Sequence, residues 1–213
     1  PAQWMAMNKA RNLEQFKAAM AMQAIVSFNF VYADRAGNIY FLHNGKTPIR
    51  AAGWDWQKYL PGDRSDLIWT DQIGFADMPQ VTNPPSGYLL SSNQTPFNVT
   101  ATGDNLSRAD YPSEHGFQNR MTNRADRGLD LMAAEGKFSE ADFLAIKWDK
   151  HYAPQSRAMA YVRRIADMAF TPDSLAAEGQ ALLAGWNGAA TKDSRAAPLG
   201  VCVLSEEWKA EQA

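Results

Sequence analysis

The sequence has 213 residues, and 46% of them are apolar, which is enough for a sizeable core in one or two domains. Lys and Arg (21) nearly balance Asp and Glu (23), and these charges are scattered along the chain, so composition argues against nucleic acid as a partner. The chain has no apolar run near the roughly 20 residues that a transmembrane helix needs, so we expect no membrane partner.

The chain begins at Pro1 rather than at Met, and we expect it to be part of a longer protein.

The first predicted elements are a helix and a β-hairpin. Apolar residues at three- and four-residue spacing predict a helix over 8–22. Two runs rich in β-branched and aromatic residues, 25–32 and 39–42, flank a glycine-containing turn and predict the hairpin. Because two strands are marginal in water, we expect the other strands of the sheet to come from outside this sequence.

The middle of the chain, 45–116, is rich in Pro, Gly, Asn, Asp and Ser, which excludes long helices and interior strands. It also carries many aromatic and aliphatic residues that must pack somewhere. We therefore predict a long, ordered coil, and such coils in compact domains are often functional.

The remaining part, 117–213, has a helical pattern. Ser139 opens one predicted helix with a capping-box motif, another follows Pro154, and Thr171 is predicted to cap a further one with Pro at its first position. The sequence thus predicts an α+β fold in two parts, with a helix, hairpin and irregular coil over 1–116 and a helical segment over 117–213.

Composition and spacing give little support for common catalytic or metal-binding motifs. The three histidines, His43, His115 and His151, are far apart, which disfavours a zinc site. The single cysteine, Cys202, lies in an apolar stretch, and we predict a buried, inert thiol. Four carboxylates of the middle segment could hold a cation or act as an acid–base pair, but acidic residues in such loops are usually solvated: Asp63, Asp66, Asp71 and Asp77.

Two polar residues lie next to predicted elements in positions that suit a site. Asn93 follows a turn and a short apolar strand, so its side chain would lie at a rim. Arg120 precedes the first helix of the second part, from where a long side chain can reach a neighbouring loop. On composition alone, Asn93 is a turn residue and Arg120 a surface charge.

Six segments resemble, in order and at compatible spacing, segments of the β-chain of the penicillin acylase family. They are Asn-Leu-Glu-Gln-Phe at 12–16, the hairpin turn at 32–39, Gly-Trp-Asp-Trp at 53–56, Asn-Pro-Pro-Ser-Gly-Tyr through Asn93 at 83–93, Asn-Arg-Met-Thr at 119–122 and Gly-Trp-Asn-Gly at 185–188. The resemblance covers most of the chain.

This resemblance implies a partial N-terminal-nucleophile hydrolase fold, with four layers in the order αββα, and specific roles for two residues. In the family, a Ser at the start of the β-chain attacks the amide and its own α-amino group is the base. The side-chain amide at the position of Asn93 binds the oxyanion, which is typically worth roughly 3 to 4 kcal/mol. Arg120 would support that donor or tune the amino group.

The resemblance also implies what this chain lacks. Pro1 cannot supply a hydroxyl nucleophile, so the partners would be the remaining α- and β-chain segments of the same precursor, and this chain alone is predicted to be inactive. The substrate would be a small-molecule amide, such as a β-lactam or an acyl-homoserine lactone. No cofactor is required, but a structural calcium could use Asp104 or Asp110. Family members are usually periplasmic or secreted.

Two other functions compete with this interpretation. A non-catalytic saccharide-binding module is the main alternative, because aromatic residues cluster in the middle segment: Trp54, Trp56, Tyr59 and Trp69. A binding platform would place these rings on one exposed face, whereas an acylase would bring Asn93 and Arg120 within a few ångströms of each other. A carboxylate-based glycosidase is disfavoured, since no acid pair stands out.

Overall fold

The computed structural model describes residues 1–133 and 136–212, with side chains described through residue 205. The chain forms two compact units, Pro1–Met121 and Thr122–Ala213. Residues 134, 135 and 213 of the predicted helical segment lie outside the described residues. Among the described helices, none is both long and apolar enough to cross a bilayer.

Two helices begin the first unit, where the sequence predicted one. Helix α1 spans Ala2–Lys9 and helix α2 spans Leu13–Met20. Between them, Asn12 is extended (φ −154°), and its side chain accepts a 2.9 Å hydrogen bond from the Gln15 amide. The Gln15 side chain in turn accepts from the Arg11 amide at 2.9 Å. The predicted continuous helix over 8–22 was wrong because this N-cap breaks it.

A three-stranded antiparallel sheet follows, in the order β1-β2-β3. Strands β1 (Phe28–Ala33) and β2 (Ile39–Asn44) form the predicted hairpin, with Ala33 opposite Ile39. The third strand, β3 (Gln80–Thr82), places Val81 opposite Phe41. Contrary to the prediction, this strand comes from the irregular middle. Prolines at 79 and 84 obscured it, but Pro is compatible with the ends of a short edge strand.

The irregular middle is packed and internally hydrogen-bonded. It contains several short 3-10 turns. The side-chain oxygen of Asn105 stabilises one bend by accepting hydrogen bonds from the amides of Val99 (2.7 Å) and Thr100 (3.1 Å). Residues from α2, β2 and the middle share one core: Leu13, Phe16, Met20, Tyr40, Leu42, Ile73, Met78, Phe97 and Phe117. Its aromatic and aliphatic residues therefore anchor the coil to the sheet and helix α2.

The second unit is helical. Its helices are α3 (Asn123–Met132), α4 (Glu140–Lys147), α5 (Arg157–Ala166), α6 (Leu175–Ala184) and α7 (Ala197–Gln212). The Ser139 capping box, closed by Asp142, confirms the predicted start of α4. The start predicted at Thr171 was wrong, because Ser174 caps α6 by accepting from the Ala177 amide. Cys202 on α7 is exposed, so the prediction of a buried thiol was also wrong.

Candidate active site

Asn93 lies on an exposed bend with a left-handed backbone, φ +62°. The neighbouring Gln94 is buried and fixes this bend: its Nε2 donates to the carbonyls of Leu90 (3.0 Å) and Asn98 (3.2 Å), and its Oε1 accepts from the Ser92 amide. Asparagine adopts this backbone conformation more readily than most residues. The position of Asn93 is therefore set by the main chain and by one buried amide side chain.

Arg120 is exposed and precedes α3, which begins three residues later at Asn123 with Thr122 as its N-cap. The Arg120 carbonyl accepts a 2.9 Å hydrogen bond from the Thr95 amide. The main chain of Arg120 is thus fastened to the loop two residues after Asn93. The structure brings these two segments together through their backbones, and the predicted convergence of the two side chains stays a prediction.

A polar cavity of about 430 Å³ lies beside Asn93 in the first unit. Its wall comes from four stretches of chain: the start of β1, the end of β2 with the residues that follow, the loop around Asn93 and the loop around Phe117. Asn44, Lys46, Arg50 and His115 line it together with Asn93, whereas Arg120 is not among the lining residues.

His43 and His115 both line this cavity and pack edge-on against Phe117, each at 5.5 Å between ring centroids. Burial lowers the pKa of His43, and burial also lowers the pKa of His115, so both are neutral at neutral pH. His43 Nδ1 lies 2.6 Å from Asn29 Oδ1. Because an amide oxygen accepts, the His43 proton lies on Nδ1 and Nε2 is an acceptor.

Arg50 fixes a positive charge in the cavity wall. Its Nη1 donates to the carbonyls of Glu114 and His115, both at 2.8 Å, and its guanidinium lies over the rings of Trp56 (5.9 Å) and Trp69 (5.5 Å). These contacts leave the side chain little freedom, so its charge is pre-positioned.

The predicted calcium ligands differ in their surroundings. Asp104 is half-buried, and its Oδ2 accepts a 2.7 Å hydrogen bond from the Ser86 amide. Asp110 is exposed at the end of a 3-10 turn. Within the described part of the chain, no three His, Cys, Asp or Glu side chains group closely enough to hold a metal ion. These residues therefore offer at most part of a calcium coordination shell.

Guanidinium groups pack against the aromatic rings of the predicted saccharide platform. Arg50 covers Trp56 and Trp69, and Arg64 lies 5.4 Å over Trp54. Trp56 and Trp69 contact each other at 6.0 Å, and the Trp56 Nε1 donates to the Ala51 carbonyl. The guanidinium groups thus lie over rings on which a sugar would have to stack.

Sequence reasoning missed the residues that surround Asn93 in the cavity. Asn44, Lys46 and Arg50 follow the predicted second strand, and His115 was considered only as a metal ligand. The signal available in the sequence was a polar run, His-Asn-Gly-Lys at 43–46, directly after an apolar strand. The long sequence separation from Asn93 hid their proximity.

Comparison with known proteins supports the resemblance on which the site was predicted. The family model for penicillin amidase matches residues 2–211. A penicillin G acylase from Escherichia coli is 36% identical over 114 residues, which cover 54% of this chain and 12% of that protein.

A solved structure has the same fold. The thermostable penicillin G acylase from Alcaligenes faecalis, in its orthorhombic form, aligns with a TM-score of 0.64 and 24% sequence identity over 90% of this chain and 32% of that one. The mixture of helices with a small antiparallel sheet thus occurs in that acylase, and this chain spans about a third of its length. With the family model matching nearly every residue, the chain belongs to the penicillin amidase family.

Proposed function

We propose that this chain is part of an amidohydrolase that cleaves an acyl group from a small-molecule amide. In this proposal the Asn93 side-chain amide donates to the oxyanion that forms when the amide carbonyl is attacked, and Arg120 supports it. The nucleophile is a Ser at the start of a β-chain, and it is contributed by a segment outside these 213 residues. Water completes the reaction by releasing the acyl group as a carboxylic acid.

One observation carries the proposal: in a chain of the penicillin amidase family, Asn93 lines a polar cavity on a rigidly hydrogen-bonded bend. An oxyanion donor stabilises a transition state best when it is already oriented, because no reorganisation is then needed during the reaction. The Gln94 hydrogen bonds and the main-chain bond between Thr95 and Arg120 supply that rigidity.

The remaining α- and β-chain segments are the proposed partners of this chain, and β1 offers them a place to bind. Strand β1 is at the edge of the sheet, and Phe28 (57% exposed) and Val31 (49% exposed) leave apolar surface uncovered on it. An edge strand with exposed apolar side chains favours pairing with another strand. The αββα core of the proposed fold needs such additional strands.

Replacement of Asn93 by glycine, in the acylase assembled from this chain and those segments, tests the proposed donor. Glycine accepts a positive φ without strain, so Asn93→Gly removes the amide while keeping the bend. We expect kcat to fall by about 10² to 10³ with KM little changed. Gln57→Ala, which removes an exposed amide outside the cavity, is the control and should keep full activity. A kcat for Asn93→Gly within a few-fold of the parent would contradict the proposed role.

Two further features belong to the proposal. A structural calcium would be held in part by Asp104, whose carboxylate is oriented by the hydrogen bond that it accepts from the Ser86 amide. The acylase would work in the periplasm or outside the cell. Chelation of the assembled enzyme followed by calcium addition tests the first feature: we expect its melting temperature to fall and then recover, and to do neither in Asp104→Asn.

A saccharide-binding module is the second candidate function. It is favoured by the exposure of Tyr59 and of Trp69, which is 54% exposed. It is disfavoured by the guanidinium groups over Trp54, Trp56 and Trp69. Titration with oligosaccharides, followed by tryptophan fluorescence, should give no saturable change if the acylase proposal is right.

A further inference from the structure

The loop that presents Asn93 has no regular secondary structure to hold it. We call residues 90–99 the Asn93 loop, and none of them belongs to a helix or a strand. The two ends of this loop lie side by side, because the Leu90 amide donates to the Val99 carbonyl at 2.8 Å. The position of Asn93 therefore depends on the few hydrogen bonds that fix the base of the loop.

Asn105 holds this base with both ends of its side-chain amide. Its Oδ1 accepts from the amides of Val99 (2.7 Å) and Thr100 (3.1 Å). Its Nδ2 donates to the carbonyls of Thr100 and Ala101, both at 3.0 Å. A primary amide has two donor hydrogens and one acceptor oxygen, so the main chain of 99–101 uses most of the hydrogen-bonding capacity of this side chain. A satisfied network of this kind holds the main chain in one orientation.

The same network reaches the segment that carries Arg120. Asn105 Nδ2 also donates to Asn98 Oδ1 at 3.4 Å, and Asn98 Nδ2 donates to the Met121 sulfur at 3.3 Å. Elsewhere in the loop, the Thr95 amide donates to the Arg120 carbonyl at 2.9 Å. The Asn93 loop is thus joined to this segment at two points, and Asn105 contacts one of them through Asn98.

We propose that Asn105 is a positioning residue for the reaction: it fixes the base of the Asn93 loop and, through Asn98, aligns this loop with the segment of Arg120. Asn105 is not among the described residues that line the polar cavity, so it acts through the geometry of the loop. A displacement of about 1 Å at an active site can cost on the order of 10²-fold in rate. This inference rests on the proposed function, in which Asn93 is the oxyanion donor.

Asn105→Ala in the assembled acylase tests the inference, with excess calcium present so that the neighbouring Asp104 is not a variable. We expect kcat to fall about tenfold or more with KM within a few-fold of the parent, because the donor is misplaced in the transition state. Asn12→Ala is the matched control. Asn12 Oδ1 also accepts from a main-chain amide, that of Gln15, but it does so at the start of α2, so this variant should keep the kcat of the parent.

The same substitution in an Asn93→Gly background separates positioning from general destabilisation. Once the donor is absent, there is no donor left to misplace, so Asn105→Ala should lower kcat there by less than about twofold. A comparable loss in both backgrounds would overturn the inference, and so would a kcat of Asn105→Ala within about twofold of the parent.

Asn98→Leu is the second variant in case Asn105→Ala does not fold. Leucine has a shape similar to that of asparagine, and it removes the side-chain contacts to Asn105 and Met121. Its loss of kcat should be smaller and should again disappear in the Asn93→Gly background; an undiminished kcat would overturn the inference. Failure of this inference alone leaves the kcat loss of Asn93→Gly intact, whereas a wrong donor removes that loss, and the inference is then wrong as well.

Discussion

Asn93 is constrained by its backbone as well as by its proposed chemistry. At φ +62°, most side chains would be strained, and asparagine is among the least affected. A loss of activity in Asn93→Gln could therefore come from backbone strain as well as from the displaced amide. Glycine is the substitution that separates the two effects.

Gly116 is a residue at which a single methyl group should disturb the cavity wall. Its φ is +67°, and a Cβ there would lie 2.5 Å from Arg50 Nη1. We predict that Gly116→Ala forces the guanidinium away from the carbonyls of Glu114 and His115 and lowers the free energy of unfolding by about 2 to 4 kcal/mol. Urea denaturation followed by circular dichroism, with tryptophan fluorescence as a second signal, measures this effect.

Gly37→Ala is the matched control. Gly37 also has a positive φ, +89°, but a Cβ there would meet no atom within 4 Å. The free energy of unfolding of this variant should fall only by the cost of placing a Cβ at positive φ, about 1 to 2 kcal/mol. Equal destabilisation of the two variants would show that Arg50 is not held at Gly116 as described.

The Arg127–Asp149 pair makes the second unit sensitive to acid. Two hydrogen bonds from Arg127, at 2.8 and 2.9 Å, with a further contribution from His151, hold the pKa of Asp149 well below its usual range. A carboxyl whose pKa is lowered by folding stabilises the folded state at every pH above its pKa in the unfolded chain, about 4. This stabilisation is lost progressively as the pH falls below that pKa.

Arg127→Met should therefore destabilise the second unit at neutral pH by about 1 to 3 kcal/mol. The difference from the parent should shrink as the pH is lowered below about 4. Thermal unfolding followed by circular dichroism over this pH range measures both effects, with Lys192→Met, an exposed lysine of the same unit, as control. A difference that does not change with pH would rule out the ion pair as its source.

Among the helices, packing between α7 and the loop after α6 depends on Gly200, which lies near the start of α7. A Cβ on Gly200 would lie 2.4 Å from Cζ3 of the Trp186 ring. That ring is buried, and its Nε1 donates to the Ala189 carbonyl at 3.0 Å, so it cannot easily move.

Gly200→Ala should lower the free energy of unfolding by about 1 to 3 kcal/mol, because the clash outweighs the higher helix propensity of alanine. Gly179→Ala in α6 is the matched control: its Cβ would meet only the flexible end of Leu199 at 3.3 Å, so we expect a change close to zero or a small gain. Chemical denaturation of both variants gives the comparison. A stabilised Gly200→Ala variant would contradict the described packing.

Elements with strong local signals were predictable from the sequence, and elements defined by tertiary contacts were not. The hairpin has two runs rich in β-branched and aromatic residues and an Asp-x-x-Gly-Asn turn, in which Asp34 accepts from the amides of Ala36 and Asn38. The capping-box motif of Ser139 and Asp142 predicts where α4 begins. By contrast, β3 has three residues between prolines and forms only because β2 offers it an edge.

The site shows the same division. Asn93 and Arg120 could be proposed because short motifs around them resemble family segments. Arg50, Asn44 and His115 could not, because their importance comes from cation–π contacts, an unpaired buried acceptor and a shared cavity with Asn93. The cavity joins residues as far apart in sequence as Asn44 and His115, which are 71 positions apart (115 − 44), and such proximity leaves no local pattern.

At the scale of the whole molecule, the proposed division of labour predicts that these 213 residues do not catalyse the reaction alone. In the proposed reaction Asn93 only donates a hydrogen bond to the oxyanion, and its amide forms no bond to the acyl carbon. We expect no turnover of chromogenic amides by this chain, and turnover once the segment carrying the nucleophilic Ser is present. Measurable hydrolysis by this chain, purified free of other acylases, would refute that division.

In the proposed reaction the Asn93 amide points at the negative charge that develops on the oxygen of the attacked amide. A crystal structure of the assembled acylase with a tetrahedral sulfonyl or boronate adduct on its nucleophile would show whether it does. We predict that Asn93 Nδ2 lies about 2.7 to 3.1 Å from the adduct oxygen, with Arg120 on the same side. An adduct oxygen bound only by other groups, with the Asn93 and Arg120 side chains turned to opposite sides, would contradict the account.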